Sequence, residues 1–462
     1  MNDLSCKLLV VGAGPGGYVC AIRAGQLGID NVIVEADRFG GTCLNVGCIP
    51  SKALIHAADE FHRLTVFANH APLGISASSP SVDFPRTIEW KDGIVARLND
   101  GVAALLKKAN VRTVHGTARF LDGKTVSVGT ADGERRIRAE NIVIATGSAP
   151  IELPLLPFGG NVISSTEALA LAEVPLRLAV VGGGYIGLEI GTAFAKLGCA
   201  VTIIEAEPEI LSQYDVELTR PIVERLAALG VDVMTGTKAL GLSGKALEIE
   251  SEAGGRRSIT ADKVLVSVGR RPRTKGVGLE ELSLTMTGQF VRIDDRCQTS
   301  MRGVYAIGDI TGEPMLAHRA MHQGEMVAEI IAGHNRSWDK ACIPAICFTD
   351  PEIVTVGLSP DAARATVNEI ATTHFPFQAN GRAMTIDRKD GFIRVVARKD
   401  NGVLLGIQAV GAGVAELSAA FALSLEMGAR LEDVAATIHA HPTLSEAFHE
   451  ACLRTLGHSL HI

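Results

Sequence analysis

The sequence of 462 residues has no long uncharged apolar run and no block of clustered lysines and arginines. A helix that crosses a bilayer needs about 20 consecutive apolar residues, so we expect no membrane partner. The formal net charge of −7 and the lack of a basic tail argue against a nucleic acid partner. Residues 1–7 leave no room for the three regions of a secretory signal, so we expect a cytoplasmic protein.

The nine cysteines also lack the dense spacing of a small disulfide-stabilised secreted domain. Of the cysteines that lie close together in the sequence, only Cys43 and Cys48 stand inside a glycine-rich segment. No second pair of ligands with the usual spacing lies nearby, so we predict no metal site. The hydrophobic content of 47% and the length allow about three domains with buried cores.

A nucleotide-binding pattern stands at the start of the chain. The apolar segment 8–11 predicts a strand, Gly12-x-Gly14-x-x-Gly17 follows it, and a helix and a second strand lead to Glu35, 23 residues after Gly12. The glycines allow a pyrophosphate to approach backbone N–H groups at a helix start, and the acid can accept hydrogen bonds from ribose hydroxyls. The alternative is a tight strand-to-helix turn without a ligand.

The pattern recurs at Gly182-x-Gly184-x-x-Gly187, and Glu205 again follows the first glycine by 23 residues. Two complete patterns predict two dinucleotides and therefore electron transfer between two cofactors. The carboxylate of Glu205 would repel a 2′-phosphate, so the second site favours NAD over NADP.

Two further segments are expected to complete the first site, which we assign to a flavin. One apolar strand ends in Thr146-Gly147, and another precedes Asp309. Small residues at these strand ends let a cofactor approach the backbone, and Asp309 could bind ribitol or ribose hydroxyls. It could equally be an ordinary turn aspartate.

The cysteine pair stands in Gly-Gly-Thr-Cys43-Leu-Asn-Val-Gly-Cys48-Ile-Pro-Ser-Lys52. A helix start lowers the pKa of a thiol, and Lys52 would add positive charge on the same helical face as Cys48. Such a pair is suited to exchange with an external dithiol. A metal half-site and two inert buried thiols are the alternatives.

Near the end of the sequence, His441-Pro-Thr-Leu-Ser-Glu446 predicts an imidazole oriented by a carboxylate at a helix start. Such a histidine can take a proton from a dithiol. His439 has no matching partner and is interpreted as an ordering or solvated residue.

At these residues the chain resembles the dihydrolipoyl dehydrogenases among the glutathione reductase-like flavoproteins, over essentially its whole length. The Gly-Gly-Thr-Cys-x4-Cys-x-Pro-Ser-Lys and His-Pro-Thr-x-Ser-Glu elements are more specific than the glycine patterns. The resemblance implies a homodimer in which each active site takes the histidine and glutamate from the other subunit. It also implies FAD and NAD as cofactors.

On the same resemblance, Cys43 would exchange with the substrate and Cys48 would face the flavin. Lys52 would lie beside the flavin, paired with Glu189, and Tyr185 would cover the nicotinamide pocket. The other matching positions are Gly116 and Ala317 for FAD, and Ile186, Gly269 and Arg270 for NAD. The tail lacks a second redox pair, which argues against high-molecular-weight thioredoxin reductase and mercuric reductase. The retained cysteines argue against soluble transhydrogenases, and Glu205 argues against NADPH-linked glutathione reductase.

The predicted fold class is α/β, with two Rossmann-like dinucleotide-binding domains and an α+β C-terminal dimerisation domain. The expected segments are 1–150 and 273–339 for FAD, 151–272 for NAD and 340–462 for dimerisation. The predicted reaction is oxidation of dihydrolipoamide on a lipoyl domain of a 2-oxo acid dehydrogenase complex, with reduction of NAD⁺. The segments 90–94 and 347–352 look most like the branched-chain form. The alternatives are another disulphide reductase of the family and a flavin-binding scaffold without turnover.

Overall fold

The computed structural model describes residues 3–71 and 73–462. The chain divides into two compact units, Met1–Val174 with Val266–Asp339 and Pro175–Leu265 with Lys340–Ile462. The first unit contains the segments expected to bind FAD, and the second contains the segment expected to dimerise. The boundaries at 150 and 272 stay predictions.

Helices account for much of both units. Several begin at a side chain that accepts a backbone N–H, as Asp83, Asp215 and Ser359 do. In chain order the α-helices are α1 Pro15–Gln26, α2 Gly41–Val46, α3 Cys48–His70, α4 Phe84–Lys108, α5 Ser165–Ala168, α6 Tyr185–Lys196, α7 Val216–Ala228, α8 Ala317–Ile331, α9 Pro360–Thr366, α10 Gly381–Thr385, α11 Ser418–Glu426, α12 Leu431–Ala436 and α13 Glu446–Thr455. Short 3₁₀ helices cover Leu279–Leu282, Gly308–Thr311, Phe377–Ala379 and Val414–Leu417.

The strands are rich in β-branched residues, which favour the extended backbone. In chain order they are β1 Leu4–Val11, β2 Asn31–Glu35, β3 Arg112–His115, β4 Thr117–Phe120, β5 Thr125–Thr130, β6 Gly133–Ile144, β7 Ser148–Pro150, β8 Val162–Ile163, β9 Arg177–Val181, β10 Ala200–Ile204, β11 Asp232–Met234, β12 Thr237–Ser243, β13 Ala246–Ser251, β14 Arg256–Thr260, β15 Lys263–Val266, β16 Arg270–Pro272, β17 Met286–Thr287, β18 Phe290–Val291, β19 Val304–Ala306, β20 Ala345–Cys347, β21 Glu352–Gly357, β22 Ile370–Pro376, β23 Phe392–Arg398 and β24 Leu404–Gly411.

The first unit is built on a seven-stranded sheet with the order β3-β2-β1-β6-β5-β4, in which β19 also pairs with β6. Strands β3, β2, β1, β6 and β19 are parallel, and β4 and β5 add an antiparallel end. The segment Leu8–Val11 is buried throughout, as expected of a parallel strand covered on both faces. The carboxyl ends of these parallel strands form the edge at which the glycine turn lies.

Helices α1 and α8 pack closely in the first unit because glycines face each other. A Cβ on Gly324 would lie 2.3 Å from the carbonyl oxygen of Gly16, and a Cβ on Gly16 would lie 2.9 Å from that of Ala320. The contact holds α1, and with it the glycine turn, against the helix that begins at Ala317.

The second unit contains a parallel arrangement in which β10 lies between β9 and β11, with α6 following β9. Its C-terminal part has a five-stranded antiparallel sheet with the order β20-β21-β24-β23-β22. Helices α11 and α13 cover one face of that sheet, where Phe421, Phe448 and Cys452 join its apolar core. This part is the α+β architecture expected for 340–462.

Candidate active site

The first glycine turn has a backbone that only glycine can form. Gly12 has φ +100°, and a Cβ there would lie 2.4 Å from the carbonyl oxygen of Ala145. A Cβ on Gly17 would lie 1.9 Å from the Gly12 oxygen. Gly14 differs, because its absent side chain would project into open space. Gly12 and Gly17 therefore shape the turn, and Gly14 leaves room for a ligand to approach.

The second glycine turn repeats this arrangement. Gly182 has φ +109°, and its N–H donates to the Ile204 carbonyl at 2.9 Å, as Gly12 does to Val34 at 2.8 Å. The space beside Gly184 is open, and Tyr185-Ile186-Gly187 begin α6. Within the described residues, no side chain caps the first turn of α1 or α6. Their backbone N–H groups are the ones a pyrophosphate would accept from.

Glu35 and Glu205 occupy equivalent places beside the two turns. Glu35 accepts from the N–H groups of Ala13 at 2.7 Å and Asp37 at 2.9 Å. Glu205 accepts from the N–H groups of Gly183 at 2.5 Å and Glu207 at 2.8 Å. Each carboxylate is therefore fixed at its crevice, where a ribose would lie.

The redox pair lies across the junction of two helices. Cys43 is half-buried in α2, and Cys48 is exposed as the first residue of α3. The two thiols hydrogen-bond to each other, and this bond together with burial raises the pKa of Cys43, which the charge of Lys52 partly offsets. A thiolate at Cys48 would be stabilised by the start of a long helix.

Two asparagines hold the redox segment in place. Asn45, between the cysteines, donates to the carbonyl of Phe39 at 2.8 Å, and Asn99 on α4 donates to the same carbonyl and to the Asn45 side chain. Sequence reasoning missed both residues. Asn45 stands within the motif, but nothing in the local sequence connects Asn99 with it.

The remaining positions expected for FAD lie in the first unit. Gly116 has φ +158° and donates to the Glu35 carbonyl at 2.9 Å, and Thr146 donates its hydroxyl to the Arg273 carbonyl at 2.9 Å. Gly147 has φ +71° and precedes β7. Asp309 lies in the 3₁₀ helix after β19, and Ala317 begins α8.

Asp309 and Arg270 are joined through a serine that sequence reasoning did not single out. The Ser148 hydroxyl is 2.5 Å from Asp309 Oδ2, and Arg270 Nε is 2.8 Å from Ser148 Oγ. Gly269 and Arg270 thus lie in the first unit, with Gly269 accepting from Ile151 N–H at 3.0 Å. The position of Ser148, directly after the Thr146-Gly147 strand end, was the available signal.

Glu189 is buried in α6 and accepts from the Phe348 N–H at 2.9 Å. Lys52 and Glu189 belong to different compact units, so their pairing stays a prediction. Tyr185 contributes to the surroundings of Tyr214, whose pKa is raised mainly by burial and also by Cys347 and Tyr185.

The structure brings His441 and Glu446 together. His441 Nδ1 lies 2.8 Å from Glu446 Oε1, and the Thr443 N–H donates to Oε2 at 2.8 Å. Burial opposes ionisation of Glu446, but these two hydrogen bonds outweigh it and lower its pKa. The His441 side chain is 79% exposed, so its ring is open to solvent on this chain.

His439 has an ordering environment. Its ring stacks on His449 with 5.2 Å between ring centroids, and Nδ1 lies 3.3 Å from the Ser445 hydroxyl. Burial and the nearby His449 charge lower the pKa of His439. Its interpretation as an ordering or solvated residue stays a prediction.

Comparison with known families matches two parts of the chain. The model of the pyridine nucleotide-disulphide oxidoreductases matches residues 6–324, and that of their dimerisation domain matches residues 343–452. The dimerisation domain supports a homodimer. No helix formed by residues 3–71 or 73–462 combines the length and apolar character needed to cross a bilayer.

Similar proteins span the whole chain. It is 60% identical to a dihydrolipoyl dehydrogenase of Pseudomonas aeruginosa, over 99% of both chains, and 45% identical to one of Geobacillus stearothermophilus, over 99% of this chain and 98% of the relative. Among solved structures, LpdA of Mycobacterium tuberculosis has a TM-score of 0.89 at 25% identity, covering 97% of this chain and 99% of that one. The HOCl-induced flavoprotein disulfide reductase RclA of Escherichia coli has a TM-score of 0.85 at 25% identity, covering 96% and 99%.

These matches confirm the predicted family, fold class, enzyme class and cofactors FAD and NAD. The individual roles of the site residues stay predictions. The chain therefore belongs to the dihydrolipoyl dehydrogenases of the pyridine nucleotide-disulphide oxidoreductase family.

Proposed function

We propose that the protein oxidises dihydrolipoamide to lipoamide and reduces NAD⁺. The observation that carries the proposal is the pair Cys43 and Cys48 at the start of α3, beside a glycine turn with open space at Gly14. The relatives at 60% and 45% identity are named for this reaction.

The residues of the two turns fit the two dinucleotides. Both turns combine an uncapped helix start, open space at the middle glycine and a fixed acid, and these features suit a pyrophosphate and a ribose. We assign FAD to the turn of Gly12 and NAD to the turn of Gly182. When bound there, FAD would supply two-electron chemistry toward the dithiol, and NAD⁺ would serve as the hydride acceptor.

The cysteines carry out the exchange step. A substrate thiolate attacks Cys43 Sγ of the Cys43–Cys48 disulfide, which breaks that bond and releases Cys48 as a thiolate. The second substrate thiol then displaces Cys43, leaving lipoamide with its new S–S bond and two reduced cysteines. The start of α3 would stabilise the Cys48 thiolate, and the charge of Lys52 favours the ionised form of Cys43.

His441 handles the proton. It takes a proton from the attacking substrate thiol and gives a proton to Cys43 when the second substrate thiol displaces that sulfur, while Glu446 holds the Nδ1 side of the ring. We propose that this pair serves the cysteines of the partner subunit in the homodimer. Its exposure on this chain leaves the ring accessible to that partner.

NAD is the proposed electron acceptor rather than NADP. The carboxylate of Glu205 is fixed beside the second turn, and Glu207 follows it, so a 2′-phosphate would meet negative charge. We further propose a lipoyl domain of a 2-oxo acid dehydrogenase complex as the partner and the cytoplasm as the compartment. The branched-chain form stays a prediction.

The test compares substrates on FAD-loaded protein. We expect rapid NADH formation from dihydrolipoamide and NAD⁺, and much slower reaction with NADP⁺. The second candidate is another disulphide reductase, which the structural likeness to RclA favours. Rapid NADH-dependent reduction of glutathione disulfide without lipoamide turnover would favour that candidate. Bound FAD that neither substrate reduces would indicate a scaffold without turnover.

A further inference from the structure

In the first unit, hydrogen bonds connect three side chains in a row, Arg270, Ser148 and Asp309. Arg270 is expected to contact NAD, and Asp309 is expected to contact FAD. Arg270 Nε lies 2.8 Å from Ser148 Oγ, and Ser148 Oγ lies 2.5 Å from Asp309 Oδ2. Ser148 is 3% exposed, and Asp309 and Arg270 are half-buried, so the Ser148 end of each contact is shielded from water. Hydrogen bonds of this kind are stronger away from solvent.

Both ends of the chain are fixed by backbone contacts. Ser148 begins β7, which is antiparallel to β16, and Arg270 Nη2 donates to the Ser148 carbonyl at 3.0 Å. At the other end, the N–H of Gly308, the residue before Asp309, donates to Gln323 Oε1 at 2.8 Å. The Ser148 hydroxyl is the link between two anchored segments.

The direction of the hydrogen bonds follows from the donors present. A guanidinium only donates, so Ser148 Oγ accepts from Arg270. Its own proton is then directed to Asp309, which accepts it as a carboxylate. The positive charge at one end and the negative charge at the other polarise the hydroxyl in the same sense, and each bond strengthens the other.

We propose that Ser148 is a positioning residue that orients the Asp309 carboxylate for FAD and transmits the position of Arg270 to it. The inference rests on the proposed function, because it takes FAD to bind beside Asp309. FAD affinity should then depend on Arg270, even where that side chain acts only through Ser148. By linkage, a ligand that moves Arg270 would change the affinity for FAD.

The test is a double-mutant cycle on FAD affinity. FAD is removed from the full-length protein, and its dissociation constant is measured by titration of flavin fluorescence for the unmodified protein, Ser148→Ala, Arg270→Gln and the double variant. We expect Ser148→Ala to raise the dissociation constant about 10-fold, the range of one charge-assisted hydrogen bond. Arg270→Gln should raise it about 3-fold when Ser148 is present and should have no further effect in Ser148→Ala.

The matched control is Ser127→Ala. Ser127 is buried in the same unit, and its hydroxyl donates to Glu134 Oε1 at 2.7 Å, so the control also removes a bond from serine to carboxylate. Both serine variants should lower the thermal stability of the apoprotein, but only Ser148→Ala should weaken FAD binding. Equal FAD affinity in Ser148→Ala and Ser127→Ala would overturn the inference.

Additive effects of Ser148→Ala and Arg270→Gln would also overturn it. If Ser148→Ala does not fold, Arg270→Gln alone tests the inference. Weaker FAD binding in that variant supports it, and unchanged FAD affinity contradicts transmission through Ser148. Failure of the proposed function has a different signature, namely an unmodified protein that does not bind FAD at all.

Discussion

The two glycine turns have nearly identical backbones but different neighbours. At the first turn, the Gly40 N–H donates to the Ala13 carbonyl at 2.8 Å, and a Cβ on Gly41 would lie 2.6 Å from Gly14 Cα, so the segment with the cysteines packs directly on the turn. At the second turn, Leu211 takes that place, with its N–H donating to the Gly183 carbonyl at 3.0 Å.

The different segments packed on the two turns suggest how one chain could use the same turn backbone for two purposes. On the proposed assignment, the turn, the helix start without a side-chain cap and the fixed acid would bind a dinucleotide in both places. The segment that packs on each turn differs, because Gly41 leads into the segment with Cys43 and Cys48, whereas Leu211 is a buried apolar residue. On the proposed assignment, the dithiol chemistry belongs to the segment packed on the first turn and not to the backbone that the two turns share.

The helices that follow the turns are also held differently. Helix α1 packs on α8 through Gly16 and Gly324. Helix α6 ends at Lys196, whose ammonium lies 2.6 Å from Asp350 Oδ2, and Asp350 also pairs with Arg225 and Arg388. Helix α1 is held by close backbone packing near the first turn, and α6 is held at its C-terminal end by a largely buried ion cluster.

The largest effect is expected when the cysteine pair, which distinguishes the first turn from the second, is removed. Cys48→Ser should abolish NAD⁺ reduction by dihydrolipoamide and leave FAD bound, because a hydroxyl cannot form the disulfide. Activity and the flavin spectrum are measured together. Cys342→Ser is the control, since its half-buried thiol has the polar neighbour Glu426 and lies outside the redox pair. Full lipoamide turnover in Cys48→Ser would contradict the proposed route.

The next effect concerns the base in the second unit. Glu446→Gln should lower kcat about 100-fold, because the His441 ring loses a charged partner that orients it. The pKa of Glu446 is lowered by its hydrogen bonds, so the carboxylate is ionised throughout the neutral range and the loss should be similar from pH 6 to 8. Steady-state rates across this range check the expectation. An unchanged kcat would exclude Glu446 from orienting the base.

The comparison of the two turns becomes sharper with a matched pair of substitutions. Gly14 and Gly184 have ordinary negative φ and open space, so alanine at either position should leave the fold intact. Gly14→Ala should weaken FAD binding about 10-fold or more, and Gly184→Ala should raise KM for NAD⁺ by a similar factor, because a methyl group obstructs the pyrophosphate.

The control for this pair is Gly101→Ala, a helical position in α4 that also has open space. It should affect neither cofactor. The assignment of the turns would be contradicted if Gly14→Ala changed only KM for NAD⁺, or if Gly184→Ala released FAD.

The smallest effect on activity is expected at the ion cluster. Burial would raise the pKa of Asp350, but Lys196, Arg388 and Arg225 outweigh it and hold the pKa well below its usual value. The stabilisation is therefore complete above about pH 4 and is lost as the pH falls through the folded-state pKa. Asp350→Asn should cost about 3 kcal/mol at pH 7 because Lys196, Arg225 and Arg388 lose the largely buried carboxylate that they share.

Urea unfolding at pH 7 and at lower pH measures this cost. The difference between Asp350→Asn and the unmodified protein should shrink as the medium becomes acidic. A difference that grows on acidification would contradict the ion-pair account. FAD content should be unchanged, since Asp350 lies in the second unit.

Local sequence predicted much of this structure. The strand, glycine turn and helix around Gly12 and Gly182 depend on short-range sterics, and the contact between His441 and Glu446 spans only five residues. The pairs that sequence reasoning missed are distant in the chain: Asn99 with Asn45, Ser148 with Asp309, and Lys196 with Asp350. Their side chains come into contact only because the fold brings separate segments together. Local sequence patterns such as periodicity do not predict contacts of this kind.

The central claim is that the first turn serves FAD and the dithiol and the second turn serves NAD. A two-stage anaerobic reaction of FAD-loaded Gly184→Ala, compared with the unmodified protein, tests this claim most directly. Dihydrolipoamide is added first, and NAD⁺ second, with the flavin spectrum and NADH absorbance recorded. We predict that dihydrolipoamide bleaches the flavin equally fast in both proteins, and that NAD⁺ restores its colour much more slowly in Gly184→Ala at low NAD⁺ concentration. Slow bleaching with normal reoxidation in that variant would contradict the assignment of dithiol chemistry to the first turn and NAD to the second.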